Sequence, residues 1–223
     1  MSWTTLFNNS TTVSNGSDTP PYDQDYFSVK TPTPQPQIQF NIGYRWHEKR
    51  EFIPYYSAFF QYRHYFISQI RGNIYQYSSP EFENYDYQMD HTADLFTLNG
   101  KINLFEYKKF LPYLSAGAGV IYNYLNNYRE FPLENVTPRT SAGYSSKTNA
   151  NLALTLGIGI DFKINKNTWA TLGYEYLAQG NLFTGPGDTT WSDTHLTFGK
   201  NVKTRTVFLN ISMNIPDGMR SDQ

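Results

Sequence analysis

The 223-residue chain has no cysteine, which removes disulfide frameworks, thiolate metal sites and cysteine nucleophiles. It has no apolar run near the roughly 20 residues that a membrane helix needs. Its mean hydropathy of -0.57 agrees with that absence. No stretch of useful length carries helical periodicity, so helical architectures are excluded. Charge of one sign is missing too. The 18 Lys and Arg against 19 Asp and Glu leave a net charge of -1, and no electrostatic footprint for nucleic acid. The opening Met1-Ser-Trp-Thr-Thr-Leu-Phe-Asn lacks a basic region followed by an apolar one, so no signal peptide is visible.

What is present is alternation. In Asn151 to Ile164, Leu152, Leu154, Leu156, Ile158, Ile160, Phe162 and Ile164 share one parity. Ala153, Thr155, Gly157, Gly159, Asp161 and Lys163 share the other. Neighbouring side chains on a strand point to opposite faces, so this segment has an aliphatic wall backed by a small, polar face. The same pattern recurs in Gln37–Trp46, Phe52–Arg63, Asp94–Phe105, Leu111–Tyr124, Trp169–Ala178 and Arg205–Ile215. It is weaker in Trp3–Val13. These are eight strands, joined alternately by long polar segments (about 14–36, 66–90, 126–147 and 179–203) and by short charged turns.

Long connections at one end and tight turns at the other are the asymmetry of a transmembrane barrel. Runs of about 10 to 12 residues are near the length a tilted strand needs to cross a bilayer. Aromatic residues make up 17% of the chain, and many fall at the strand ends. Trp46, Phe52, Tyr107, Phe110, Phe162 and Trp169 lie at the turn end; Tyr62, Tyr122, Tyr124 and Tyr176 lie at the loop end. Two girdles around an aliphatic band are expected from this placement. The opposite parity carries Arg45, Arg63, Lys101, Asp161, Lys163 and Glu175. In a narrow barrel these would fill the interior and pair, with Arg45 and Glu175 one candidate pair. Gly117, Gly119, Gly157, Gly159 and Gly173 face the same way and leave room for larger partners.

Leu111-Pro-Tyr-Leu-Ser-Ala-Gly-Ala-Gly-Val120, Thr155-Leu-Gly-Ile-Gly-Ile-Asp161 and Trp169-Ala-Thr-Leu-Gly-Tyr-Glu-Tyr176 resemble the small outer-membrane β-barrel family of proteobacteria, the OmpA/OmpX-like porin-family barrels. Pro80-Glu-Phe-Glu-Asn-Tyr-Asp-Tyr87 with Asp90-His91-Thr92 is similar to members from intracellular bacteria such as Legionella. The resemblance implies an all-β, eight-stranded antiparallel up-and-down transmembrane β-barrel over residues 1–215, followed by a polar tail over 216–223. It implies contact with outer-membrane lipid and lipopolysaccharide and with the barrel-insertion machinery, and it leaves open a host-surface ligand through the loops. It implies no single activity. Unlike many members, the chain does not end on an aromatic residue, and its N-terminus is expected to be truncated, processed or misassigned.

No catalytic, cofactor or metal site is expected. His47, His64, His91 and His195 are far apart and in no ligand spacing. Gly117-Ala-Gly119 and Gly157-Ile-Gly159 open no helix and so are not phosphate loops. The sequence therefore points to a non-enzymatic barrel, structural or surface-interacting. Two alternatives stand beside it. One is a barrel enzyme acting on lipid A or peptides, with His91 or His195 paired to a serine. The other is a soluble lipocalin-like barrel with the apolar parity lining a cavity.

Overall fold

A computed structural model describes residues 11–17, 19–20, 22–30, 35–199 and 202–213. Among the described residues the chain is all-β, with eleven strands: β1 Thr11–Ser14, β2 Gln24–Phe27, β3 Gln37–His47, β4 Phe52–Tyr75, β5 Glu83–Phe105, β6 Phe110–Pro132, β7 Lys147–Lys163, β8 Thr168–Ala178, β9 Leu182–Phe183, β10 Thr197–Gly199 and β11 Lys203–Met213. The remaining regular structure among the described residues is three single 3-10 turns. Pairing is antiparallel throughout. The main sheet runs β1-β2-β4-β5-β6-β7-β8-β11, with β3 also paired to β4. β9 and β10 form a small separate ribbon.

Eight strands were expected and the structure differs in two ways. First, among the described residues the sheet does not close by hydrogen bonds, because β3 and β11 are both left with an unpaired edge. The expected strand Trp3–Val13 lies outside the described residues except for Thr11–Val13, which belong to β1 and pair with β2. Second, much of the expected long loops is strand. β1, β2, β9 and β10 lie within or beside the segments 14–36 and 179–203, β4 continues to Tyr75, and β6 continues to Pro132.

The reason the extensions escape a pattern search is a change of phase. Between Tyr65 and Ser68 the β4–β5 register slips by one residue. Below this bulge Gln61, Arg63 and Tyr65 point inward; above it Ser68, Ile70 and Ile74 do. A second slip, between Gln88 and Asp90 on β5, does the same to β6. Each half alternates, but a period-two template laid across the bulge fails.

The sheet wraps so that β3 and β4 face β7 and β8 across an interior. The two parities are sorted cleanly. Ile42, Leu98, Leu156, Ile158, Leu172 and Leu209 are all exposed, with Ile42 at 76% and Leu209 at 75%. Arg63, Asn99, Asn103, Asp161 and Glu175 are buried. Tyr62, Phe96 and Tyr122 sit at the loop-side edge of the outer apolar band, and Trp46, Phe52, Phe110 and Phe162 at its turn side. Trp169 departs from the expected girdle. It is 2% exposed and faces inward, because it shares the parity of Thr171 and Glu175.

Candidate functional site

The interior is built in layers. Nearest the turns, Asp161 accepts from Lys101 Nζ at 2.7 and 2.9 Å, Asn103 Nδ2 at 2.9 Å, Thr171 Oγ1 at 2.6 Å and Arg45 Nη2 at 3.1 Å. The Arg45 guanidinium lies 4.5 Å from the centre of the Trp169 ring. Five hydrogen bonds from four partners on a fully buried carboxylate replace the water it gave up. One layer higher, Arg63 Nη1 donates to Glu175 Oε1 at 2.6 Å and to Tyr65 Oη at 3.1 Å, while Nε and Nη2 donate to Gln39 at 3.1 and 2.9 Å. The charged parity does pair, but Arg45 does not pair with Glu175. Arg45 takes Asp161 and Glu175 takes Arg63, although Arg45, Ser57, Lys101, Ser115, Gly157 and Glu175 follow one another in a single register row; strands tilt in a wrapped sheet, so a row climbs as it passes round and its two ends meet other residues across the interior. The inward glycines make the expected room: a Cβ on Gly173 would collide with the Tyr113 hydroxyl and the Phe208 ring.

Above these charges Tyr65, Ala93, Leu95, Ile121, Ala153 and Leu177 pack into an apolar plug. Beyond the plug the extended strands and connecting segments enclose a second core. It contains Phe27, Ile70, Ile74, Tyr85, Tyr87, Met89, Leu125, Tyr144, Trp191, Leu196 and Phe198. Arg139 is its hub. Its Nη2 stands 3.2 Å from Asp25 Oδ2 and 3.6 Å from Glu130 Oε2. Its guanidinium lies 4.8 Å from the Trp191 ring centre and 5.2 Å from that of Tyr85. One side chain thus ties together segments that are distant in sequence. Burial raises the Tyr144 pKa to about 12 and holds the Tyr128 phenol well above its ordinary value, where the adjacent Glu130 carboxylate adds to the effect. The loop end is therefore a packed head rather than a set of solvated loops.

The four histidines are not brought together. His47 stacks near Tyr55 at the turns. His64 faces outward, with Nδ1 2.8 Å from Asp94 Oδ1, an oxygen that also accepts from Tyr62 Oη at 2.8 Å. His91 is buried with Nε2 3.0 Å from Asn123 Oδ1. His195 lies against Phe183. Among the described residues no serine hydroxyl is hydrogen-bonded to any of them, and no group of three His, Cys, Asp or Glu could hold a metal ion. Arg139, Asp25, Glu130 and Trp191 are absent from any sequence expectation. They sit in aperiodic segments, and nothing local marks them as partners.

No protein-family model matches the chain, and no curated protein matches it either.

Proposed function

We propose that this chain is a non-enzymatic outer-membrane β-barrel protein, similar to the OmpA/OmpX-like barrels, that presents a rigid packed head at the cell surface. The observation that carries this reading is the sorting of the two parities. A continuous band of large aliphatic side chains faces out, and the paired charges face in. Water would reward the reverse arrangement, and hydrocarbon rewards this one. A lipocalin-like barrel would line its cavity with the apolar parity, which here is the exposed one.

The reading includes closure into eight strands. β3 and β11 both run from the loop end to the turn end. An antiparallel barrel needs one opposing strand between two such edges. The chain enters β1 running towards the loop end, parallel to β4, and Thr11 Oγ1 donates to the Thr197 carbonyl close to the start of β11. The apolar plug and the paired charges favour a closed interior over a general pore. Among the described residues His91 is hydrogen-bonded to Asn123 and His195 lies against Phe183, with no serine hydroxyl bonded to either, so an enzyme acting on lipid A or peptides is the less supported reading.

Membrane fractionation with gel mobility before and after boiling tests the proposal. The expected result is an outer-membrane protein whose mobility changes on heating, and which loses that property when residues 1–10 are deleted. A detergent-free soluble product with unchanged mobility would refute it. A steady large-pore conductance in planar bilayers would refute the closed interior.

A further inference from the structure

The charges of the interior do not cancel. Between the plug and the turns it holds Arg45, Arg63 and Lys101 against Asp161 and Glu175, three cations to two carboxylates. Lys163 adds a fourth cation nearest the turns, 5.4 Å from the Trp169 ring centre. The closure proposed above would add residues 1–10, and they contain no Asp or Glu. An unbalanced charge taken out of water is costly, so the excess calls for a counter-ion.

The surplus falls on two side chains. Arg63 is fully buried and is satisfied by Glu175, Tyr65 and Gln39. Arg45 and Lys101 instead share the single carboxylate of Asp161. Arg45 Nε reaches Ser57 Oγ at 3.4 Å, but its Nη1 is buried with no hydrogen-bond partner among the described residues. Both cations line one cavity of about 170 Å³, with Asn41, Ser57, Ser115 and Asn210 also in its wall. A water takes about 30 Å³, so this space admits a small anion together with some of its water. Glu175 reaches the same wall, but its Oε1 is held by Arg63 Nη1 at 2.6 Å. The Arg45 and Lys101 side chains are 13% and 11% exposed against 0% for Arg63, so these two remain within reach of ions from solvent.

We propose that this cavity binds a small monovalent anion of the halide type between Arg45 and Lys101, as the counter-ion of the barrel interior. This rests on the barrel reading above, which closes the interior. Only one nitrogen of the Arg45 guanidinium is free, which suits a single-atom anion better than the paired oxygens of a phosphate. Neutral amide and hydroxyl groups complete the wall without competing for the charge.

The test uses the full chain folded in detergent micelles, with the temperature at which heat-dependent mobility is lost as the readout. Chloride is compared at equal ionic strength with lactobionate, a bulky disaccharide acid. Wild type should hold to a temperature higher by about 5 °C or more in chloride, the shift expected for a ligand a hundredfold above its dissociation constant. Arg45→Gln leaves two cations to two carboxylates, and Asp161 keeps Lys101, Asn103 and Thr171. Ser57→Asp puts a carboxylate between Arg45 and Lys101, which flank it in one row. Both variants should lose the chloride dependence. Equal temperatures for wild type in the two salts would overturn the proposal. So would a full shift retained by either variant, which would mark chloride acting elsewhere on the protein. A wild type without heat-dependent mobility would instead refute the barrel reading, and this site with it.

Discussion

Replacing Arg139 with alanine should loosen the head while leaving the barrel intact. The side chain is 16% exposed, and it stands between carboxylates that are 1% and 3% exposed. Removing one partner of a buried ion pair costs about 3–5 kcal/mol, because the remaining charge is stranded. Here two carboxylates are stranded, but each keeps other donors. Asp25 accepts from Asn15 Nδ2 at 3.0 Å and from Tyr77 N at 3.2 Å. Glu130 accepts from Tyr128 Oη at 2.6 Å and from Ala142 N at 3.3 Å. The low end, about 3 kcal/mol, is therefore the expected loss, with the stacking on Trp191 and Tyr85 inside that figure rather than added to it. It corresponds to about a hundredfold faster amide exchange in segments opening by local unfolding. Hydrogen exchange resolved to peptides covering 133–146 and 188–196 would measure it, with peptides from the strands between the girdles as the internal control. Adding Asp25→Asn and Glu130→Gln should recover part of the loss by removing the stranded charges. Arg139→Ala with exchange within a few-fold of wild type would refute the idea that this cluster holds the head together.

Three further outcomes are expected. Leu156→Arg places a charge in the middle of the outer band and should cost about 2–4 kcal/mol for a barrel folded in a bilayer, against almost nothing for a surface in water. Equilibrium unfolding in vesicles distinguishes the two. Glu175→Gln should destabilise the barrel by about 3–5 kcal/mol, because the fully buried Arg63 loses its charge partner; heat-dependent mobility should be lost at a lower temperature, and an unchanged temperature would contradict the assigned pair. Alkaline pH should weaken the head. Tyr144 and Tyr128 titrate above the ordinary tyrosine value in the folded state, so the unfolded chain releases those protons first. Their contribution is present below pH 10 and is lost as pH rises towards 12 and beyond. Ultraviolet absorbance of tyrosinate, followed with exchange of the same segments, would show the two changes together.

The sequence alone determined which residues share a face. Strand alternation is local, so Leu152 to Ile164 and Asp161 with Glu175 could be sorted without knowing what they touch. It also fixed the all-β class and the hairpin order from Gln37 onward. Which way the faces point took the wrapped sheet, where the aliphatic parity is exposed and Asp161 is fully buried. Partner choice was decided by how the sheet wraps: Arg45 and Glu175 share a register row, but the tilted row climbs round the interior and leaves Arg45 beside Asp161 and Glu175 beside Arg63. The head was beyond reach for two reasons. One-residue bulges reverse the phase of alternation in β4 and β6, which makes real strands read as loop. The contacts of Arg139 join Asp25, Glu130 and Trp191 across long stretches of chain, and such pairings carry no periodic signal. Local patterns record the direction of each side chain; only the folded chain records what lies opposite.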